Sequence, residues 1–167
     1  MRNIFIVSDT HFGHQNILKF TDDKDGSHVR PNFSSVEEMD EHMVERWNSV
    51  VRDYDIVYHL GDVYFDNGHR VLKRLKGRKR LVLGNHDNPK SEFIMNNFSK
   101  IMMWRMFPEF NCVLTHVPIH ESGMFKIKYN LHGHIHQNPS PTPRHINCCV
   151  EVNNYTPKTI EECLIQG

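Results

Sequence analysis

With 167 residues, 20 Lys plus Arg and 20 Asp plus Glu, the chain has the length of one domain and no net field to draw in nucleic acid or a membrane surface. The excess lies in histidine, 13 residues, the commonest metal ligand and the usual acid or base near neutral pH. Cys112, Cys148, Cys149 and Cys163 show no C-x-x-C spacing, the apolar run 4–7 is too short for a signal-peptide core, and no stretch reaches membrane-spanning length, so a soluble, cytoplasmic protein with reduced, buried thiols is expected.

Residues 4–7 are β-branched and aromatic and predict a central strand. An extended backbone through Asp9-Thr10-His11 then puts Asp9 and His11 on one face, a spacing suited to two ligands of one ion. The alternative is a helix N-cap by Asp9 with His11 in the first turn. His14, a turn or two on, stands beside that pair or against a substrate. Residues 21–32 are polar, without a period, and predict a mobile loop. Ser35 and Glu38 make a capping box for a helix in which Val36, Met39, Met43, Trp47, Val50 and Val51 recur at helical spacing.

Residues 55–60 predict a second strand that delivers Gly61-Asp62 at its end. Asp66 or Asn67 caps a helix through Val71, Leu72 and Leu75 that stops at Gly77. The basic stretch 73–80 is read as the solvated face and last turn of that helix rather than as a nucleic-acid patch. Residues 81–84 predict a buried strand, and Gly84 allows the sharp turn that throws Asn85, His86 and Asp87 out at the sheet edge, where α/β folds keep their chemistry. A helix over 91–98 follows. The runs 101–107 and 112–115 predict a β-hairpin, and Pro118 stops the second run just past His116. Residues 128–131 form a strand leading into His132-Gly133-His134-Ile135-His136, where His134 and His136 share a face by the same period of two. Residues 138–145, with three prolines, predict a stiff rim loop that carries Arg144. A final strand is expected over 146–152, and Thr159 with Glu162 caps a C-terminal helix.

The strand-end groups are therefore Asp9, His11, Asp62, Asn85, His86, His116, His134 and His136: two carboxylates, one amide and five imidazoles. One ion takes about four to six ligands and leaves several over, whereas two ions sharing a carboxylate account for all but His86, which remains for proton chemistry. Nitrogen and oxygen donors without thiolate suit manganese, the first expectation, or Fe, Co, Ni or Zn.

The series Asp9-x-His11, Gly61-Asp62, Gly84-Asn85-His86-Asp87, His116 and Gly133-His134-x-His136 resembles the calcineurin-like metallophosphoesterase superfamily, in that family's motif order, over residues 4–136. The tail from Asn147 to Pro157 is similar to small bacterial and phage members. The resemblance implies a single domain over 1–167 of α/β class, a four-layer fold whose two-sheet β-sandwich is flanked by helices. It implies one divalent transition-metal ion on Asp9, His11, Asp62 and His136 and a second on Asp62, Asn85, His116 and His134, with Asp62 as the bridge. Two dications about 3.5–4 Å apart stabilise the attacking and leaving oxygens of an in-line displacement and acidify a bridging water to the hydroxide that attacks phosphorus. His86 then protonates the leaving oxygen or binds a nonbridging one.

The protein-phosphatase branch of that family resembles Gly-Asp-x-x-Asp-Arg after the second strand. Here Phe65 and Asp66 fill the last two positions and Asn67 follows, so the carboxylate is shifted by one and the phosphate-clamping Arg is missing. The expected substrate is therefore a small phosphodiester or nucleotide: a nucleotide, cyclic nucleotide or nucleic-acid-derived diester. A monoesterase acting on a small metabolite and a non-catalytic scaffold are the competing readings. His14 and Arg144 are the candidates to touch substrate, and Asp66 or Asp87 to orient His86.

Overall fold

In a computed structural model that describes residues 2–165, β1 (Ile4–Val7), β2 (Ile56–His59), β3 (Arg78–Val82) and β4 (Lys100–Met102) pair in parallel as neighbours of one sheet. A second sheet runs through β5 (Arg105–Phe107), β6 (Cys112–Leu114), β7 (Tyr129–His132) and β8 (His145–Asn147). Its last three strands are parallel, and β5 is antiparallel at the edge. The short β9 (Lys158–Thr159) returns to pair antiparallel with β1 and closes the first sheet.

Alternation along the strands decides which side chain enters which layer. Ile6, Tyr58 and Val82 face the second sheet and pack on Phe107, Cys112, Leu114, Leu131 and Ile146. Phe5, Val7, Val57 and Leu81 point the other way, onto α1 (Val36–Val50) through Met39, Met43 and Trp47, and onto a 3₁₀ segment, Asp66–Arg74, through Leu72. Two further short helices, α2 (Glu92–Asn97) and α3 (Ile160–Ile165), bury Ile94 and Ile160. This is the expected two-sheet sandwich flanked by helices. No helix among the described residues is long and apolar enough to cross a membrane.

Both capping boxes form. Ser35 Oγ accepts from Glu38 N at 3.1 Å, and the Glu38 carboxylate reaches back to Ser34 N, one residue earlier than the ideal box. At α3, Thr159 Oγ1 accepts from Glu162 N and Glu162 accepts from Thr159 N, at 3.2 and 2.7 Å. All four cysteines are buried and free.

Several sequence expectations need correction. The third strand starts at Arg78, inside the basic stretch, because Gly77 (φ 89) turns the chain directly from the 3₁₀ segment into the sheet. Lys79 is buried with its ammonium donating to Leu75 O at 2.6 Å, and Arg80 donates to Tyr58 OH at 2.6 Å, so long aliphatic stems let basic residues serve as strand. Residues 66–74 are 3₁₀ rather than α, and neither Asp66 nor Asn67 caps them. Phe65 precedes the segment without a side-chain hydrogen bond, and Asp66 has φ 43. The expected hairpin forms only in part: β5 pairs antiparallel with β6 across the turn at 108–111, but β4 joins the first sheet, because β3 offers it a parallel partner that no local pattern reveals. The last expected strand is cut to β8, after which Val150–Asn153 coils into a 3₁₀ turn. The polar loop over 21–32 is tied down, since Arg30 within it is 1% exposed.

Candidate metal centre

The parallel strands of each sheet end at the same rim, and the ends of β1, β2, β3, β6 and β7 carry the residues singled out above. Cross-sheet hydrogen bonds lock the rim: His134 N donates to Asp9 Oδ2 at 2.8 Å and His116 Nδ1 to Leu60 O at 2.7 Å. The backbone there is not extended. Asp9, His11, Asp62, His134 and His136 have φ of 56, 49, 55, 72 and 49. Left-handed backbone costs about 1–2 kcal/mol for a residue with a Cβ, and such strain collects at functional sites. Asp9 and His11 thus converge by a tight left-handed turn, not by the period of a strand.

Two groups result. Ligand atoms of Asp9, His11 and His136 lie within 4.8 Å of one another, as do those of Asp62, His116 and His134. Asp62 Oδ2 stands between the groups, 3.7 Å from His11 Nε2 and 3.5 Å from His116 Nε2. Asn85 Oδ1 joins the second group, 2.8 Å from His116 Nε2 and 3.0 Å from His134 Nδ1.

The imidazoles are aimed from behind. His136 Nδ1 donates to Glu151 Oε1 at 2.9 Å, His116 Nδ1 to Leu60 O, and His11 Nδ1 pairs with His14 Nδ1 at 3.2 Å, which leaves each Nε2 facing the cluster. Burial lowers the pKa of His11 and His134. His136 is displaced upward: burial opposes the shift, but the hydrogen bond and charge of Glu151 outweigh it. Burial alone would raise the Asp9 carboxyl, yet the His11 ring 3.7 Å away, the nearby His116 and His136 charges and Ser8 hold it far below the usual range.

The donor atoms fit divalent cations. Asp9 Oδ1 and His11 Nε2 are buried without a hydrogen-bond partner, a costly arrangement unless a cation meets them. Cys149 Sγ donates to Asp9 Oδ2 at 3.4 Å, and burial pushes its thiol well up. Glycine makes the approach feasible at two points: a Cβ on Gly84 would run into Asp62, and one on Gly133 into Ser8 and Asp9.

Of the remaining sequence candidates, His86 is exposed at the mouth of the cluster. Its amide donates to Asp62 Oδ1 at 2.9 Å, and its ring stands 5.1 Å from Phe65 and 6.2 Å from His11, with no hydrogen bond to a described residue. Asp87 does not bond to that ring. It accepts from Asp62 N, Val63 N and Gly84 N at 2.9, 3.0 and 2.8 Å, so it orients Asp62 through the backbone. Asp66 is exposed and makes no hydrogen bond to a described residue. His14 stacks on Phe65 at 4.1 Å, with burial taking its pKa down to about 4, and it buttresses His11. Arg144 is turned elsewhere: its guanidinium donates to Ile127 O, Lys128 O and Glu121.

A family model described as calcineurin-like phosphoesterase matches residues 2–153. This chain belongs to the calcineurin-like phosphoesterase family. It is similar to Uncharacterized protein MJ1445 of Methanocaldococcus jannaschii, at 34% identity over 96% of this chain and 89% of that protein. The Gene 66 protein of Mycobacterium phage L5 is 35% identical over 53% of this chain and 42% of its own length. The crystal structure of the protein of unknown function AQ665 from Aquifex aeolicus matches over the full length of both chains, at 26% identity and a TM-score of 0.75. As a calcineurin-like phosphoesterase the chain is metal-dependent, and its two ligand groups are where ions would sit.

This phosphoesterase also uses residues that sequence reasoning passed over. Arg30 Nη2 donates to Asp9 O at 2.6 Å and Nη1 to Thr10 O at 2.8 Å, while Nε and Nη2 reach Glu151 Oε1 at 2.9 and 2.8 Å. One guanidinium therefore braces both the left-handed turn at Asp9 and the carboxylate that aims His136. The available signal was slight: a lone Glu151 among the apolar residues 148–152, and an arginine in a polar loop.

Proposed function

We propose that this phosphoesterase hydrolyses phosphodiesters in preference to monoesters, with His86 as the proton donor to the leaving oxygen. Two divalent cations held by Asp9, His11, Asp62 and His136 and by Asp62, Asn85, His116 and His134 would supply Lewis-acid charge and lower the pKa of water. Manganese is the first candidate for this nitrogen and oxygen donor set, with Fe, Co, Ni or Zn as alternatives. The protein's own share is placement. Asp87 holds Asp62 by its backbone, Arg30 and Glu151 fix Asp9 and His136, and Phe65 with His14 walls the side on which His86 stands. Water oxygen adds to phosphorus, the ester P–O bond breaks, and the His86 proton goes to the departing alkoxide, which leaves a monoester and an alcohol.

The observation that carries the diester reading is the commitment of the arginines. A monoester near neutral pH bears almost two charges and is usually met by a forked guanidinium. Arg30, which does enter the cluster, is spent on Asp9 O, Thr10 O and Glu151. Arg144 is spent on Glu121 and two carbonyls. A diester, as a monoanion, needs no such clamp, and a proton donor at its leaving oxygen completes what the cations do not supply. The test compares kcat/KM for bis-p-nitrophenyl and p-nitrophenyl phosphate at the same metal and pH, with 2′,3′- and 3′,5′-cyclic nucleotides alongside. Diesters are expected to lead; equal or faster turnover of the monoester overturns the preference.

A further inference from the structure

Next to the metal centre a groove of about 880 Å³ opens along the outer face of the second sheet. Gly84, Asn85 and His116 form one end of it, so it begins at the second ligand group. Its walls are Met103, Trp104, Met106, Val117, Met124 and Phe125. Met103, Trp104 and Phe125 are 68%, 57% and 89% exposed, while Met124, at 1%, anchors the far wall. Single exposed apolar residues are ordinary, but a contiguous apolar wall running into a polar cluster is the form of a ligand site.

The lining carries one Lys, Lys126, and no carboxylate. Thr115, the hydroxyl on the wall, already donates to Val117 O at 2.6 Å. A nucleobase would bring ring nitrogens and carbonyls that this wall leaves without partners. A hydrocarbon would not. Phe125, on the groove's rim, holds φ 48, a left-handed backbone of the kind that collects at functional sites, and leaves its ring exposed.

We propose that the groove receives an alkyl or aryl substituent of the substrate, so that the phosphodiester cleaved is amphiphilic, its phosphate at Asn85 and His116 and its hydrocarbon along Trp104, Met106 and Phe125. This rests on the phosphodiesterase reading above and adds the class of the second ester group.

The test uses the full metal-loaded chain and p-nitrophenyl alkyl phosphates from methyl to octyl, below their micelle concentrations. The leaving group is constant: water adds to phosphorus, p-nitrophenol departs with a proton, and the alkyl phosphate remains. For a half-open groove kcat/KM should rise about twofold per methylene, mostly through KM. Trp104→Ala and Phe125→Ala should lower that factor. An independent readout is Trp104 emission, since the other tryptophan, Trp47, is 1% exposed. Octylphosphonate, whose C–P bond is not hydrolysed, should blue-shift it saturably, and methylphosphonate should not.

A flat chain-length series without an octylphosphonate response overturns the groove assignment while leaving hydrolysis intact. Absent turnover of every ester, with the emission shift retained, sinks the phosphodiesterase reading and keeps the groove. With thymidine 5′-(p-nitrophenyl phosphate) run alongside, faster turnover of that ester than of the octyl diester overturns the hydrocarbon in favour of a base. Concentration-dependent dimerisation in sedimentation that Trp104→Asp abolishes overturns it in favour of an interface between copies.

Discussion

His86 and Asp62 are joined by a single hydrogen bond, from the His86 amide to Asp62 Oδ1, yet their side chains have separate duties. The Asp62 carboxylate is buried between both ligand groups, whereas the His86 ring is exposed and makes no hydrogen bond to a described residue. His86→Ala is therefore expected to keep its metal and lose about 10²–10⁴-fold in kcat, while Asp62→Ala loses metal as well. Elemental analysis of both variants beside their kinetics decides this, and a His86→Ala protein short of metal would refute the assignment. Glu151 acts one atom further out. Its carboxylate accepts hydrogen bonds from His136 Nδ1 and the Arg30 guanidinium, so Glu151→Gln should weaken metal affinity by about 10- to 100-fold. Titration of the folded variant with Mn against the parent measures it.

Among the elements, α1 is coupled to the β1 turn by one buried carboxylate. Asp40 accepts from Gly13 N through both oxygens, at 3.1 and 3.0 Å, and burial pushes its pKa up to about 6 from 3.8. A folded-state pKa above the unfolded one means that its stabilising share is complete below pH 3.8 and is lost as pH rises through about 6. Asp40→Asn keeps an acceptor for Gly13 but never ionises. It should therefore melt higher than the parent at pH 8, with the difference closing toward pH 4. Thermal melts at pH 4, 6 and 8 test the sign, and a gap that widens on acidification contradicts it.

For the whole molecule, the consequence of the sandwich is that neither sheet owns the site. The first sheet supplies Asp9, His11, Asp62 and Asn85, and the second supplies His116, His134 and His136. Ions bound between them would hold the two sheets together and relieve the buried Asp9 Oδ1 and His11 Nε2, which have no hydrogen-bond partner among the described residues. Chelation should accordingly lower Tm, and metal add-back should restore it. A site filled at 100 times its dissociation constant contributes about 2.7 kcal/mol. Calorimetry with and without chelator checks this, and an unchanged Tm argues that the ligand groups do not bind ions in the folded state.

The sequence by itself determined where the buried strands and the first long helix lie and the kind of chemistry, while the two-sheet sandwich was legible only through the family resemblance. Strand-forming runs at 4–7 and 55–60, each reaching a carboxylate two residues on, Asp9 and Asp62, mark buried strands whose ends carry reactive groups, and Ser35 with Glu38 marks the start of α1. Those signals are local, set by residue type and period within one element. What the tertiary structure alone decided depends on partners distant in sequence. The split of residues 100–107 between two sheets came from β3 and β6, and the placement of Lys79 in a strand came from Gly77 and the neighbouring Val57. Asp9 and His11 converge, and His134 and His136 part to different ligand groups, through left-handed backbone that the cross-sheet contacts sustain, not through the period of two. Arg30 and Glu151, 121 residues apart, could be recognised as the brace of this site only once the chain had folded, because a buried ion pair has meaning only where both charges leave water together.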